Sequence, residues 1–362
     1  MLSNMNLMKA LKVLQVTESQ SIIEKLKSIL NLQEPSFVNR EISLNAPVAC
    51  HECGSVAIVK NGYTKLGRQR YRCKDCGKSF LINSDSLTHR SQYTLDTWVL
   101  YIKCMVSRMS VRKTAQVCEI SYRTAFIWRH KILDTLGTLM NKTVLEGEIQ
   151  ADETYFALSF KGRDKSFMGL KGKKRGTPAR KRGLSREKVC VVCGVDGGRN
   201  AFGQISSMGK PSWDKIKNVF NGHIGRGSTL VTDSFTAYRK SVKDFDVKHV
   251  SIPSGNHKYG KYHINLINAY HRGLKDFIDW DFKGVSTKYL NNYIVWFNLM
   301  FFAKKPEETE VELTNYALNT KFKESFENVQ KRPLIPIEGW EDYIEEMKPR
   351  WFYNAVKRGA FL

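Results

Sequence analysis

Four cysteines in two short pairs, Cys50-x-x-Cys53 and Cys73-x-x-Cys76, constrain this chain more than any other feature. Two-residue spacing lets both sulfurs of a pair reach one tetrahedral ion. The glycine after each second cysteine, Gly54 and Gly77, permits the left-handed turn that a metal knuckle requires. Four thiolates close the coordination shell, so the ion expected at Cys50, Cys53, Cys73 and Cys76 is a structural zinc within a ribbon over residues 46–82. Alternating segments at Ser55 to Thr64 and Arg68 to Arg72 supply its strands, and Asn61-Gly62 reads as the hairpin turn. Lys65, Arg68, Lys74 and Lys78, with the strand Gln69-Arg70-Tyr71-Arg72, set basic charge and an aromatic on that ribbon, which suits a DNA backbone. His51 and His89 read as surface histidines. Cys190 and Cys193 share the x-x spacing but lie in the apolar run from Val189 to Cys193, where a strand puts them on opposite faces of a core. Cys104 and Cys118 read as helix interior.

The charge agrees with a polyanionic partner. The 362 residues carry a formal net charge of +23, which attracts nucleic acid over a Debye length and makes binding salt-dependent. With 42% hydrophobic and 26% charged residues, the chain has the material to fold into two or three domains. The most apolar stretch, Tyr293 to Ala303, is too short to span a bilayer and reads as a buried helix, so no membrane partner is expected. Metal-type cysteine pairs and an N-terminus without a signal-peptide pattern point to a reducing cytoplasm.

Along the chain, residues 1–45 read as a helical leader and 91–145 as a helix-turn-helix region. Residues 147–303 read as an α/β domain alternating strands with helices, and 304–362 as a helical tail. In the helix-turn-helix text, Ser110 and Ser121 are positioned to cap two helices. Val111, Ala115, Val117, Ile120, Ala125, Phe126 and Ile132 would form the shared core, and Tyr122, Arg123, Thr124, Arg129 and Lys131 would face outward. A plain helical hairpin fits the same text. Between Lys161 and Lys188 lie about a dozen Lys and Arg and two acids. That segment reads as a mobile basic loop suited to phosphate contact.

Chemistry concentrates in the α/β region. Asp152, at the expected end of a strand from Gly147, and Asp233, after the buried run Thr229 to Thr232, are the carboxylates to bridge Mg²⁺ or Mn²⁺ ions in phosphodiester transfer. Ser234 would start a helix. Thirty-five positions after Asp233, Asn268 lies on the helix His263 to Lys275, and Lys275 follows seven residues later on the same face. By spacing alone, Asn268 and Lys275 also fit a plain polar helix face.

The start at Asp152-Glu-Thr-Tyr-Phe, the Thr-Asp-Ser element at Asp233, the His-Ile-Asn-x-x-Asn-x-x-His helix and the segment from Phe282 to Tyr293 together resemble the Merlin-related insertion-sequence transposases that carry a zinc ribbon. The resemblance spans roughly Cys50 to Asn298. It implies an RNase H-like mixed sheet flanked by helices, preceded by a zinc ribbon and a helix-turn-helix. It further implies binding of transposon terminal inverted repeats and target DNA, metal-dependent cleavage and strand transfer, action on DNA as a homodimer or higher oligomer, and residence in the cytoplasm with the nucleoid. Where many relatives carry glutamate this chain has Asn268, and Asp152, Asp233, Asn268 and Lys275 match an Asp-Asp-Asn-Lys subgroup. A neutral amide at Asn268 holds the second ion more weakly unless Glu153 or DNA phosphates compensate, while Lys275 would neutralise phosphate charge. The rival reading is a decayed or domesticated transposase that only binds DNA.

Overall fold

The structure, a computed structural model, describes residues 47–342 apart from 48, 66, 68, 82–83, 85, 90, 163–187, 257, 304–305 and 323–324. The leader expected over 1–45, all but the ends of the basic segment, and the last twenty residues of the tail lie outside the described residues. The chain divides into two compact units, one of Met1–Leu136 with Lys304–Val329, the other of Gly137–Ala303 with Gln330–Leu362.

The first unit opens with a three-stranded antiparallel ribbon, β1 (Ile58–Tyr63), β2 (Gln69–Cys73) and β3 (Ser79–Leu81). Its small core is Cys50, Tyr71, Cys73 and Phe80, with Ile58 packed on it. Strand alternation turns Arg70 and Arg72 outward and Tyr71 inward, stacked on Phe80 at 6.0 Å, so the aromatic belongs to the core and not to the basic face. Asn61-Gly62 does not make the hairpin turn. The pair lies inside β1 where the register shifts between Lys60 and Tyr63, and Gly62 at φ 68° supplies a bulge before the chain turns.

Three helices follow, α1 (Leu95–Val106), α2 (Val111–Val117) and α3 (Tyr122–Met140). The side chains of Thr94 and Ser110 accept from the backbone N–H of Thr97 and Lys113, and that of Ser121 from Thr124 at 3.0 Å, so each helix starts on a hydroxyl cap. The rings of Trp98 and Trp128 stack at 3.5 Å between α1 and α3. Tyr122 and Arg123 are exposed at the start of α3, but Arg129 is buried. It falls on the helical stripe of Ala125, Trp128, Ile132 and Leu136, and its Nη2 donates to the Met109 carbonyl at 2.7 Å, tying α3 to the entry of α2. Later in the chain, α8 (Pro306–Asn319) packs on α1.

The second unit is built on a five-stranded sheet in the order β6-β5-β4-β7-β8, from β4 (Glu148–Ala157), β5 (Lys188–Asp196), β6 (Ala201–Met208), β7 (Thr229–Thr232) and β8 (Lys248–Ser251). The first three strands form an antiparallel meander, and β7 and β8 run parallel to β4. With strands counted within the unit, that is the 3-2-1-4-5 order of an RNase H-like fold. One face packs Ile149, Ala151, Cys190, Val192 and Leu230 against Trp213, Ile216 and Phe220 of α4 (Trp213–Phe220) and against Tyr238, beyond which lies the short α5 (Ser241–Phe245). The other carries α6 (Asn265–Lys275), continued by a π-helical turn at Asp276–Asp281, and α7 (Leu290–Phe301). No helix among the described residues is long and apolar enough to cross a membrane.

Two contacts fix α6. Gln150, buried in β4, accepts from the N–H groups of Leu266 and Ile267 through Oε1, at 3.0 and 3.2 Å, so a strand side chain caps the helix where no residue of its own does. Near its other end, a Cβ on Gly273 would sit 2.9 Å from the Phe297 ring, so the glycine sets how closely α6 approaches α7. The segment from Phe282 is pinned to the end of β4. Lys161 Nζ donates to the carbonyls of Phe282, Lys283 and Gly284, and Ser159 exchanges hydrogen bonds with Thr287. A short α9 (Phe326–Lys331) closes the described helices. Replacing Gln150 by Ala strands two helix-start donors and should lower stability by about 2 kcal/mol, a drop readable by urea unfolding. An unchanged midpoint would show that α6 is held by something else.

Candidate functional site

Two places gather chemistry, one in each unit. In the ribbon, the Cys50 and Cys76 sulfurs are 3.7 Å apart and those of Cys53 and Cys73 are 3.6 Å apart, with all four sulfurs within 4.8 Å of one another. A tetrahedral ion with metal–sulfur bonds of about 2.3 Å needs sulfur–sulfur edges of about 3.8 Å. The knuckles are built alike: the N–H of Gly54 donates to Cys50 and that of Gly77 to Cys73, with the two glycines at φ 73° and 70°. His51, exposed, packs its ring against Phe80 and adds no fifth ligand. The donor set and its spacing fit zinc.

In the second unit the site forms where β4 outruns β7. Pairing between them stops at Gln150 with Val231, while β5 stays beside β4 as far as Ala157. Asp152 is therefore mid-strand, and not at a strand end as the sequence suggests, yet it stands just past the last β7 rung. Asp233 follows β7 directly. Its Oδ1 accepts from Phe235 N–H at 2.9 Å, and the chain enters a 3₁₀ turn only at Thr236, so Ser234 starts no helix.

The Asp152 carboxyl is pushed up to about 6, first by burial, against the Glu153 N–H that donates to its Oδ1 at 2.8 Å. The negative charge of Asp233 raises it further and the ammonium of Lys275 draws it back. These side chains thus share one electrostatic neighbourhood. From α6, His271 is buried with Nδ1 3.7 Å from Asp152 Oδ2, and burial and then Lys275 push the imidazole down to about 4. It is neutral at pH 7 and forms no ion pair with Asp152. Asn268 precedes His271 by one turn and is exposed, its side-chain amide making no hydrogen bond among the described residues. A buried carboxylate raised by the charge of a second one, with no protein cation paired to it, is a donor set that fits a hard divalent ion.

Glu153 is not part of that set. Adjacent strand residues face opposite sides, so its side chain lies on the α4 face opposite Val192 and beside the Tyr238 hydroxyl. Burial pushes it up to about 8, with Asp152 and Asp233 adding to the rise. It cannot supply the charge that Asn268 lacks. Sequence reading missed His271 and Gln150 as site residues. The signal for His271 was its i+3 spacing from Asn268, and for Gln150 its even-numbered step from Asp152 along β4. Cys190 and Cys193 are both buried in β5, paired with Tyr155 and Asp152 on opposite faces.

A sheet in the RNase H-like order, with Asp152 on its central strand and Asp233 directly after the neighbouring one, defines the class of this unit. Residues 144–301 match the model of the ISXO2-like transposase domain, so this stretch of the chain is similar to that family. A protein encoded in the transposable element ISH50 of Halobacterium salinarum is 24% identical over 285 residues, covering 76% of this chain and 92% of its own. The Mos1 mariner paired-end complex with Mn matches 61% of this chain and 79% of its own at 10% identity with a TM-score of 0.25. The Mos1 strand transfer complex matches 62% and 79% at 11% identity with a TM-score of 0.22. At those scores the sheet order carries the fold assignment. For the ribbon, metal analysis of freshly purified protein should give one zinc per chain, and Cys73→Ser should lose it and unfold the ribbon; metal-free protein with an intact ribbon would contradict the assignment.

Proposed function

We propose that this protein is the transposase of a mobile element, binding transposon terminal inverted repeats and target DNA and carrying out Mg²⁺- or Mn²⁺-dependent strand cleavage and strand transfer. The observation that carries the reading is Asp152 on β4, within the electrostatic reach of Asp233 after β7 and beside His271 of α6, with no protein cation bonded to it. Divalent ions bound there would supply Lewis acidity and neutralise charge at the reacting phosphate.

The chain's own groups divide the remaining work. Asp152 and Asp233 bring the negative charge, and Asn268 offers a neutral amide oxygen from the same helix face as His271. His271, neutral, preserves the charge of Asp152 instead of spending it in an ion pair. Lys275 is exposed and near enough to act on Asp152, which suits it to a phosphate oxygen of the strand being cut. In the first unit, Arg70 and Arg72 on the ribbon and Tyr122 and Arg123 at the start of α3 present the exposed basic and polar surface for end DNA, with α2 and α3 acting as a helix-turn-helix. Bringing two transposon ends together calls for at least two copies of the chain.

Asp152→Ala and Asp233→Ala should each lower Mg²⁺-dependent cleavage roughly 100-fold or more while leaving end binding within about twofold. Asn268→Ala and Lys275→Ala should fall in the same class, losing rate and not binding. Wild-type cleavage by both Asp152→Ala and Asn268→Ala would remove this site, and DNA binding without any metal-dependent cleavage in the wild type would leave a DNA-binding protein.

A further inference from the structure

Between β8 and α6 the chain leaves the sheet in a two-stranded hairpin, β9 (Lys258–Tyr259) and β10 (Tyr262–His263), which no part of the transposase reading uses. Its turn has two residues, and Gly260 at φ 59° takes the positive angle required at the first position of such a turn. The tip is unusual for a surface hairpin. Tyr259 is 58% exposed, one of few large apolar side chains so placed among the described residues, and Lys258 and Lys261 are exposed on either side of it. Lys261 Nζ also lies 5.3 Å from the Tyr262 ring.

The base of the hairpin is held. His263 Nδ1 lies 3.2 Å from Gln150 Nε2, and the same Gln150 caps α6 through its Oε1. One buried side chain, two residues before Asp152 on the same face of β4, thus fixes both the hairpin and the helix bearing Asn268, His271 and Lys275. The segment that carries the hairpin has charge of one sign. From Val247 to Lys275 the chain contains no acidic residue and five Lys and Arg.

An exposed aromatic flanked by two exposed lysines, on a base tied to β4, has the chemistry of a platform for single-stranded nucleic acid: a base stacks on the ring and the adjoining phosphates meet the lysines. A duplex offers no base face to Tyr259. We infer that the hairpin 258–263 is a single-stranded DNA contact, with Tyr259 stacking a base and Lys258 and Lys261 holding flanking phosphates of a strand leading to or from the Asp152 site. The assignment rests on the transposase reading for its biological setting, but not for its measurement.

The test is fluorescence anisotropy of the full-length protein with a labelled twelve-nucleotide oligo-dT and with a blunt duplex of equal length, without divalent metal. Tyr259→Ala should weaken oligo-dT binding roughly tenfold, with the duplex unaffected, and Tyr259→Phe should bind as the wild type does. Lys258→Ala combined with Lys261→Ala should make the slope of log affinity against log salt shallower by about 1.4 for oligo-dT, the value for two phosphate contacts on a single strand. Tyr259→Ala with full oligo-dT affinity, or with equal losses on both probes, would overturn the assignment. A wild-type protein that binds oligo-dT through Tyr259 but never cuts DNA in Mg²⁺ would overturn the transposase reading and leave the hairpin contact standing.

Discussion

Gln150 joins the parts of the second unit that have to meet. It is a polar side chain buried in the central strand, where a lone amide is costly unless every group on it finds a partner. Its oxygen takes two N–H groups from the start of α6 and its nitrogen faces His263, so the cost of burial is offset by fixing a helix and a hairpin on one strand. A strand side chain used as a helix cap also sets register. With Leu266 and Ile267 held at Gln150, His271 arrives over Asp152, which lies two residues further along the same face. Gly273 against Phe297 then limits the tilt of the helix from its far end.

That arrangement holds a site that works against the stability of its own fold. A carboxyl whose folded pKa stands near 6 instead of 3.8 is unfavourable to ionise in place. Its contribution to folding is present at acid pH and is lost as pH rises through the ordinary carboxylate range to about 6. His271 does not relieve this, because burial and Lys275 keep it neutral. Cations that bind the folded state alone would relieve it, which couples occupancy of the site to stability. The ribbon poses a related problem: four residues of core, Cys50, Tyr71, Cys73 and Phe80, are too few to hold three short strands, and an ion shared by the four sulfurs would supply the rest.

What was legible in the sequence was whatever depends on short spacing. The knuckles follow from two residues between cysteines and a glycine after them, the caps of α2 and α3 from Ser110 and Ser121, and the buried run of β5 from Val189 to Cys193. What was not legible depends on which neighbour a residue meets across the fold. Arg129 reads as an outward base on a helix text, but the 3.6-residue stripe carries it inside to the Met109 carbonyl. Tyr71 sits among arginines in the sequence and among core residues in space, since strand alternation separates neighbours by face. Asn61-Gly62 has the composition of a turn and makes a bulge, because the positive angle is used inside β1 before the chain reverses. Asp152 has no strand end after it, because β5 continues to pair with β4 after β7 has stopped. The carboxylates themselves were legible from the strand-like runs that carry them, with the family resemblance beside, and Gln150 and His271, which lie next to Asp152, only through their contacts.

The central claim is that Asp152 and Asp233 hold a divalent ion beside α6. Substituting Fe²⁺ for Mg²⁺ and generating hydroxyl radicals at the bound iron with ascorbate and peroxide cuts the polypeptide only near the metal. The account predicts cuts in β4 around Asp152, after β7 around Asp233 and in α6 around Asn268, suppressed by excess Mg²⁺ and absent from the Asp152→Asn protein. Cuts confined to the ribbon, or a pattern unchanged by Asp152→Asn, would contradict it.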